Sequence, residues 1–477
     1  MNPEIALIHP YRTDDYYYLY DGLSNRIYRI NDTTYDRIVK GDQQDIRYVC
    51  SVIRENGNCQ QNQDVNENLP NSRKSINAPK SYTEIDQDLD SRMNQLILEI
   101  TEKCPLRCQY CVYSGAYKYE REHSLRSMPV SIAEKAIDLF IDHSHDFVDM
   151  RTISFYGGEP LNEYDLIRHC VKYGLSKVNK ESIHFSLTTN GFLLTREKFD
   201  FLVQNNIMLY VSLDGPRELH NRYRITVGGR NTFDRIDKNL KDLRIFNKDY
   251  YAEKVNFLCV ISDYNELPQL CDFFDNYELT SGHMVVFSPI GNFDMSEAHT
   301  EKIQTTYNPE VLREIRAEYC KAVVNGQKSS GVTRPALDEL VRRVHERKIG
   351  SQTENLYPNG MCIPGVRKLY VRADGVFYPC ERVGDAFPIG SVNDGVDVTS
   401  VINLVNDYCQ LCNEVCINCW ASGLCTACFT HAREGTQMTL ERKLDNCHSI
   451  RSEVHAALVM YSTIMEENPA ALENHLY

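Results

Sequence analysis

The sequence lacks both an excess of positive charge and any long apolar segment. Its 52 lysine and arginine residues are outnumbered by 66 aspartate and glutamate residues, so the net charge is −14 at pH 7. This balance argues against a protein that binds nucleic acid through a basic surface. No apolar run reaches the roughly 18 residues of a membrane-spanning helix, and the N-terminal residues lack the basic-then-apolar pattern of a secretory signal. We therefore predict a cytoplasmic protein without nucleic-acid or membrane partners.

Cysteine is abundant, with 18 residues in a chain of 477. Disulfide bonds are rare in a reducing cytosol, so this many cysteines predict metal or redox chemistry. Twelve of them are clustered, at 104–111, at 362 and 380, and from 409 to 447. We expect the scattered ones to be small buried apolar residues, namely Cys50, Cys59, Cys170, Cys259, Cys271 and Cys320.

Residues 1–80 are predicted to form a small unit in which strands precede helices. The predicted strands are Tyr16–Tyr20 and Arg26–Ile30. Asn31 and Gly41 have the residue types that begin and end a first helix. Apolar residues at helical spacing from Ile46 to Ile53 predict a second helix. The polar composition from Gly57 to about Arg92 is typical of a linker.

Residues 93–290 alternate predicted strands and helices. The predicted strands are 96–100, 152–156, 183–187, 208–213 and 256–261. Such repeats predict parallel strands, in an α/β barrel or an open sheet. In these folds the chemistry lies at the C-terminal ends of the strands. Polar or glycine-rich segments follow the strands here, at Gly157-Gly158-Glu159-Pro160, Asn190-Gly191 and Asp214-Gly215-Pro216.

The rest of the chain is predicted to contain three further parts. Residues 291–360 are expected to be a helical connector, and residues 361–450 a loop-rich, cysteine-rich domain with short strands. Residues 451–477 are expected to hold a terminal amphipathic helix.

The first cysteine group, Cys104, Cys108 and Cys111, has the spacing C-x3-C-x2-C. Three thiolates in one short loop suit a [4Fe–4S] cluster and leave one iron without a protein ligand. An open coordination position marks a reactive metal site. A structural zinc ion would need a fourth ligand, and this loop contains no further cysteine or histidine.

This segment resembles the radical S-adenosylmethionine (radical SAM) enzymes, whose signature is this triplet with an aromatic residue, here Tyr110, before the last cysteine. The resemblance implies a partial (β/α)6 barrel. It implies that SAM chelates the open iron through its amino and carboxylate groups. One electron then cleaves SAM to methionine and a 5′-deoxyadenosyl radical, which abstracts hydrogen from an unactivated carbon.

The same resemblance implies a set of SAM contacts. Gly157 and Gly158 would let the backbone approach the SAM amino group, and Glu159 would accept its hydrogen bonds. The other implied contacts are to the ribose and carboxylate, from Asn190, Ser212, Asp214 and Arg224, and to the adenine, from Val260 and Ile261.

The later cysteines resemble the SPASM extension of radical SAM peptide-modifying enzymes, which carries two auxiliary [4Fe–4S] clusters. The motif here is Cys362-x12-Gly375-x4-Cys380, then Cys416-x2-Cys419-x5-Cys425-x2-Cys428 and Cys447, with x2 in the last short spacing where the usual pattern has x3. The resemblance implies three clusters in all. One auxiliary cluster would be held by Cys416, Cys419, Cys425 and Cys447, and the other by Cys362, Cys380 and Cys428.

The fourth ligand of that last cluster stays open at this point. It is either a substrate thiolate or one of Cys409 and Cys412. Zinc ribbons also contain CxxC pairs, so structural zinc is the alternative for the whole region.

Glu381 directly follows Cys380. In sulfatase-maturing relatives a carboxylate in this place serves as a base, so the resemblance makes Glu381 a candidate catalytic base. The alternative is an ion-pair partner of Arg382 or Arg367.

The N-terminal unit resembles, in pattern, the recognition element that binds leader peptides of ribosomally made, post-translationally modified peptides, a winged-helix-like domain. An exposed strand edge there would accept a leader as an added strand. The tyrosines at 16, 17, 18, 20 and 28 would line the groove or, by strand alternation, half of them would face the unit's own core.

The order of these parts resembles the maturases of Cys-rich peptides that install thioethers, the sactipeptide and ranthipeptide synthases. The predicted partners are a Cys-rich precursor peptide and a one-electron reductant such as ferredoxin or flavodoxin. The alternatives are another radical SAM outcome (formylglycine formation, epimerisation or a carbon–carbon crosslink) and a zinc-stabilised peptide-binding adaptor without catalysis.

Overall fold

The computed structural model describes residues 7–41, 75–78, 80–147, 151–291, 295–301, 303, 305–327, 331–350, 355–356 and 358–476. The strands are β1 Ile8–Arg12, β2 Tyr17–Asp21, β3 Arg26–Ile30, β4 Ser75–Ile76, β5 Gln95–Thr101, β6 Thr152–Gly157, β7 His184–Thr189, β8 Met208–Ser212, β9 Val255–Ile261, β10 Val285–Pro289, β11 Asn355–Leu356, β12 Leu369–Val371, β13 Phe377–Tyr378, β14 Gly390–Ser391, β15 Gly395–Val396, β16 Arg433–Glu434 and β17 Gln437–Met438.

The helices are α1 Asp32–Lys40, α2 Tyr82–Ser91, α3 Val130–Asp142, α4 Tyr164–Lys177, α5 Arg196–Gln204, α6 Arg217–Tyr223, α7 Phe233–Phe246, α8 Lys248–Lys254, α9 Leu267–Asn276, α10 Glu297–Thr300, α11 Pro309–Val324, α12 Arg334–His345, α13 Val398–Val415, α14 Leu440–Glu467 and α15 Ala471–Leu476. Among the described residues, none of the helices combines the length and the apolar character needed to cross a membrane.

The central sheet is the scaffold of the chain. Six consecutive strands, β5 to β10, pair in parallel in sequence order. Strand β5 is buried along almost its whole length, as expected for a parallel strand covered on both faces. The predicted α/β fold with a parallel sheet is therefore confirmed, and the C-terminal ends of its strands lie along one edge.

The cysteine-rich region extends this sheet. Strand β12 pairs in parallel with β5, with Leu369 opposite Leu96. Strand β13 pairs with β12 in the antiparallel direction. Gly375 makes the turn between them with φ +91°, a backbone conformation that favours glycine. The hairpin returns the chain toward the start of β12 just before it reaches Cys380.

The N-terminal unit is a three-stranded antiparallel sheet, in the order β1-β2-β3, followed by α1. Both predicted strands are present, and Asn31 and Gly41 cap α1 as expected. Strand β1 was not predicted, since Pro10 interrupts its pattern; an edge strand tolerates proline. The predicted second helix at 46–53 lies outside the described residues.

Two sequence-based boundaries need correction. Helix α2 lies inside the stretch predicted as a linker. It begins with a capping box between Ser81 and Glu84, and its Ile85 and Leu89 pack into the central core. The terminal helix begins at Leu440 rather than near 451, because the Thr439 side chain accepts a hydrogen bond from the backbone N–H of Arg442. As a result, α14 carries Cys447.

The N-terminal sheet packs on α14. The Tyr11 hydroxyl hydrogen-bonds with Ser462 at 2.8 Å, and the Tyr18 hydroxyl donates to Glu466 at 2.6 Å. Tyr20 lies in the same apolar cluster, whereas Tyr28 packs on the other face, against Ile38 of α1. Tyrosines 18, 20 and 28 are therefore core residues, and only Tyr16 and Tyr17 remain half-buried.

Candidate functional site

The first cysteine loop directly follows β5. Its backbone is held by the end of α6 and the residues after it, because the N–H of Arg107 donates to Ile225 O at 2.7 Å and that of Gln109 donates to Tyr223 O at 3.1 Å. Two of its sulfurs accept backbone N–H bonds at 3.4 Å, Cys104 from Leu106 and Cys111 from Tyr113. The loop thus gives two of its three sulfurs a backbone donor, and such donors stabilise bound thiolates.

Burial raises the pKa of both Cys104 and Cys108 to about 12, and it also raises the pKa of Cys111. These thiols are therefore protonated at neutral pH in the protein alone. A metal or iron–sulfur centre deprotonates such ligands when it binds.

The Gly157-Gly158-Glu159 segment lies against the chain that leads into this loop. The N–H of Gly158 donates to Thr101 O at 2.7 Å, and that of Glu159 donates to Lys103 O at 2.8 Å. A Cβ atom on Gly157 would lie 2.3 Å from Thr101 O, and one on Gly158 would lie 2.5 Å from Lys103 O. Only glycine permits this approach.

Glu159 links the ends of β6 and β7. Its carboxylate accepts hydrogen bonds from Thr189 Oγ1 at 2.7 Å, from the Leu161 N–H at 3.1 Å and from the Asn190 N–H at 2.7 Å. The amide of Asn190 in turn lies 3.6 Å from the sulfur of Cys104. Glu159 therefore positions Asn190 against the cysteine loop. Burial, which outweighs these hydrogen bonds, raises the pKa of Glu159.

Tyr110, Asp214 and Arg224 form one buried group. Arg224 donates to the Tyr110 hydroxyl at 2.7 Å and lies 3.8 Å from the Asp214 carboxylate, to which Tyr110 also donates. Asp214 accepts a further bond from the Val260 N–H at 3.1 Å. The Nε atom of Arg224 is buried and has no hydrogen-bond partner within the described chain, so it fits an additional anionic group.

His220 supports this group and was missed by the sequence analysis. It accepts the Asp214 N–H at 3.3 Å and contacts Thr232 Oγ1 at 3.0 Å, which donates to Arg224 O at 2.8 Å. Burial, with Arg224 nearby, lowers the pKa of His220 well below its usual range. A neutral ring matches its role as an acceptor.

Ser212 and Ile261 complete the predicted SAM contacts. Ser212 ends β8 opposite Leu258 of β9, and Ile261 ends β9 opposite Pro289 of β10. They therefore lie at the same edge of the sheet as Asp214.

A second buried network, also missed, joins the two cysteine-bearing regions. Glu99 accepts from the hydroxyls of Tyr113 and Tyr370 and lies 3.6 Å from Arg121. Arg121 donates to the backbone oxygen of Glu381 at 2.8 Å. These five residues come from four separate segments that no local sequence pattern connects, so only the folded chain reveals the network.

The Glu381 side chain pairs with Lys368, at 2.8 and 3.2 Å, rather than with Arg382 or Arg367. Burial alone would raise the pKa of Glu381, but Lys368 outweighs it and the pKa lies below its ordinary value. The carboxylate is therefore ionised at neutral pH and is a weak base while this pair persists. The catalytic role stays a prediction.

Cys416, Cys419, Cys425 and Cys447 line one cavity, together with Cys412 and Lys443. Burial raises the pKa of Cys425 to about 12 and also raises that of Cys447. The predicted four-ligand set is thus assembled from the end of α13, the loop after it and α14.

Cys362, Cys380 and Cys428 lie near one another. The Cys362 thiol interacts electrostatically with both of the others, and all three pack on the same apolar cluster. Burial would raise the pKa of Cys428, but hydrogen bonds with His431 and Thr430 lower it to about 7. The Cys412 thiol interacts electrostatically with Cys416, Lys443 and Cys409. The Cys409 thiol also interacts with Lys443.

The thiol spacing bears on the zinc alternative. A tetrahedral zinc site holds its sulfurs about 3.8 Å apart, from bonds of about 2.3 Å. Within the described ranges, no group of three or more histidine, cysteine or acidic residues is arranged to hold a single metal ion. In a four-iron cluster the thiolates bind different irons and therefore lie further apart than at a single zinc ion.

Comparison with known proteins gives concordant matches. A family model described as "Radical SAM superfamily" matches residues 98–272. The chain is 24% identical over 309 residues to a "Cysteine-type anaerobic sulfatase-maturating enzyme" of Clostridium novyi, covering 63% of this chain and 77% of that relative. It is 28% identical over 189 residues to the serine-type enzyme of Bacteroides thetaiotaomicron, covering 39% of this chain and 44% of that relative.

A solved structure described as "Native anSMEcpe with bound AdoMet and Cp18Cys peptide" has a TM-score of 0.55 and 21% identity, covering 81% of this chain and 99% of that chain. This likeness supports the shared fold. The segment that matches the radical SAM model runs from within β5 to within α9 and includes the cysteine loop. The chain is therefore similar, over this α/β region, to radical SAM proteins, and over a longer stretch to the anaerobic sulfatase-maturating enzymes.

Proposed function

We propose that this protein modifies a ribosomally made precursor peptide, joining the thiol of a peptide cysteine to a carbon of an acceptor residue as a thioether. The observation that carries this proposal is the set of Cys362, Cys380 and Cys428, which offers three thiols where a four-iron cluster takes four ligands. A cysteine of the substrate is the proposed fourth ligand.

The first cysteine loop supports the radical chemistry. Cys104, Cys108 and Cys111 would hold the SAM-binding cluster, and the unpartnered Nε atom of Arg224 fits the SAM carboxylate. Asn190, beside the Cys104 sulfur, is a further proposed SAM contact. Bound there, the cluster and SAM would supply a 5′-deoxyadenosyl radical that abstracts hydrogen from the acceptor carbon.

Cys412 belongs to the apolar cluster on which Cys362, Cys380 and Cys428 pack, and it also lines the cavity of the four-ligand set, together with Lys443. Because Cys412 lines the cavity of the other set, we assign the fourth position to a substrate thiol. If the fourth ligand is a substrate thiolate, the auxiliary iron takes a direct part in the reaction, because the iron would hold the attacking sulfur near the radical site.

The N-terminal sheet is the proposed site for the leader peptide. The sheet is three-stranded and is followed by a helix, and it packs beside the auxiliary region, where the His9 ring stacks on Trp420, the residue after Cys419, with 3.7 Å between the ring centres. The same proposal takes a ferredoxin or flavodoxin as the electron donor.

Formylglycine formation is the second candidate, and the sequence similarity to anaerobic sulfatase-maturating enzymes favours it. Those relatives are named for maturation of sulfatases. On this alternative the chain would oxidise one cysteine or serine of a protein substrate.

Mass spectrometry separates the candidates. The protein is co-expressed with a short Cys-rich precursor encoded in a neighbouring reading frame. A thioether removes two hydrogens per bridge, keeps the sulfur and blocks alkylation of that cysteine. Formylglycine formation from cysteine removes the sulfur, and epimerisation leaves the mass unchanged. A product with unchanged mass and all of its free thiols would refute the thioether proposal.

The radical step has its own test. Anaerobic protein with dithionite and SAM is expected to form methionine and 5′-deoxyadenosine, and Cys104→Ala is expected to abolish both products. Three four-iron clusters correspond to about twelve irons per chain. A colourless protein that binds zinc instead would support the adaptor alternative.

A further inference from the structure

Lys443 is a buried cation at the cavity lined by the later cysteines. It lies in the first turn of α14 and is 2% exposed. Lysine is almost never this deeply buried unless its ammonium group is paired. The identity of its partner therefore carries information about what the cavity holds.

The groups around the Lys443 ammonium are mainly thiols. Its Nζ donates to the Tyr408 hydroxyl at 3.1 Å and lies 4.5 Å from the centre of the same ring. The Lys443 side chain lines one cavity together with Cys412 and with all four members of the proposed ligand set, Cys416, Cys419, Cys425 and Cys447.

Neutral thiols do not compensate a buried positive charge. A [4Fe–4S] core of charge 2+ with four thiolate ligands carries a net charge of −2, and one-electron reduction makes it −3. A fixed cation beside the cluster favours the more negative, reduced state, because Coulomb attraction is strong where water is excluded. Net charge and hydrogen bonds near the sulfurs are known to set the reduction potentials of such clusters.

We propose that Lys443 is the counter-ion of the cluster held by Cys416, Cys419, Cys425 and Cys447, and that it raises the reduction potential of that cluster so that the cluster accepts the electron released by the reaction. This inference rests on the proposed function for its role. The radical carbon bonds to the peptide sulfur, the thiol proton leaves, and one electron passes from the substrate to the oxidised cluster, which becomes reduced by one electron.

Tyr408 belongs to the surroundings of both auxiliary thiol sets. Its hydroxyl is the hydrogen-bond partner of Lys443, and it lines the same cavity as Cys416 and Cys425. It is also part of the apolar cluster on which Cys362, Cys380 and Cys428 pack.

The test compares Lys443→Met, which removes the charge at similar volume, with Lys443→Arg, which keeps the charge. The control is Arg442→Met, which removes a charge from the neighbouring residue, where Arg442 pairs with the exposed Asp445. Iron and sulfide are counted in each anaerobically loaded protein. The midpoint potentials of all clusters are then measured by an EPR-monitored redox titration.

Lys443→Met is expected to shift one cluster to a more negative potential, while Lys443→Arg and Arg442→Met stay near the wild-type value. If Lys443→Met loses this cluster and Lys443→Arg retains it, the requirement for charge is also supported. An unchanged potential in Lys443→Met would overturn the proposal, as would equal loss of the cluster in the Met and Arg variants, which would indicate packing rather than charge.

These readouts do not depend on a peptide product. SAM cleavage with dithionite is expected to stay at the wild-type level in Lys443→Met, since the first cysteine loop is a separate site. Failure of the thioether assay would therefore refute the proposed function without changing the potentials.

Discussion

Replacing Arg121 with methionine is expected to destabilise the link between the radical SAM domain and the cysteine-rich region. The Arg121 side chain is 2% exposed and that of Glu99 is fully buried, with 3.6 Å between their charged atoms. Arg121 also donates to the Tyr113 hydroxyl at 3.1 Å and to Glu381 O at 2.8 Å. The variant leaves Glu99 as a buried carboxylate without its closest cation.

Breaking a buried ion pair by removing one partner costs about 3–5 kcal/mol. Glu99 retains hydrogen bonds from Tyr370 at 2.8 Å and from the Ala373 N–H at 3.2 Å, and Arg372 lies 3.7 Å away. We therefore expect the low end of the range, about 3 kcal/mol. With an unfolding entropy of about 2.1 cal/mol/K per residue, a chain of 477 residues shifts by about 1 °C per kcal/mol, so the melting temperature should fall by about 3 °C.

Thermal unfolding of the loaded protein under anaerobic conditions measures this effect. In the double variant Arg121→Met/Glu99→Gln no charge is left unpaired, so it should recover part of the loss. Arg313→Met is the control, because this arginine is mostly exposed and its ion pair with the exposed Glu310 is worth about 1 kcal/mol or less. A loss in Arg121→Met no larger than in the control would refute the reasoning, as would a double variant less stable than the single one.

Two further substitutions test the site. Gly158→Ala would place a Cβ atom 2.5 Å from Lys103 O, so we expect the free energy of unfolding to fall by about 1–3 kcal/mol and the first cysteine loop to bind less iron. Gly228→Ala is the control, because its Cβ atom would meet nothing closer than 4.0 Å. Equal iron content in both variants would contradict the argument. The second substitution is Glu381→Gln. In the wild-type protein, burial would raise the pKa of Glu381, but Lys368 outweighs burial and holds this pKa below its ordinary value of 4.5. The ion pair therefore stabilises the fold above that pH and is lost as the pH falls through the lower pKa. The melting-temperature difference from wild type should shrink in acid, and a constant difference would count against the pair.

Features that depend on neighbouring residues were predictable from the chain alone. The predicted strand at 96–100 is apolar except for Glu99 and leads into the C-x3-C-x2-C loop, and the structure has both in that order. The caps Asn31 and Gly41 also act as expected, since a cap is chosen by its own side chain or backbone freedom. Helix α2 had a local signal too, in Ser81 and Glu84, but the polar composition around it favoured a linker.

Features that depend on distant pairings were not predictable. Strand β12 is too short to identify its partner, and only the folded chain pairs Leu369 with Leu96. The burial of Tyr18 requires α14, more than 400 positions later in the sequence, to cover the sheet. Glu99 and Arg121 each read as ordinary charged residues, and their pairing depends on the loop folding back over β5.

The cysteine pattern, with its spacing, was enough to predict the chemistry, because ligands within one loop are held close by the short chain between them. Tertiary structure alone decided which remote groups surround those ligands. Three features follow from helices and strands that pack across long sequence distances. They are the position of Lys443, the pairing of Glu381 with Lys368, and the arrangement of Tyr110, Asp214 and Arg224. Burial then makes their charges matter, because water no longer screens them.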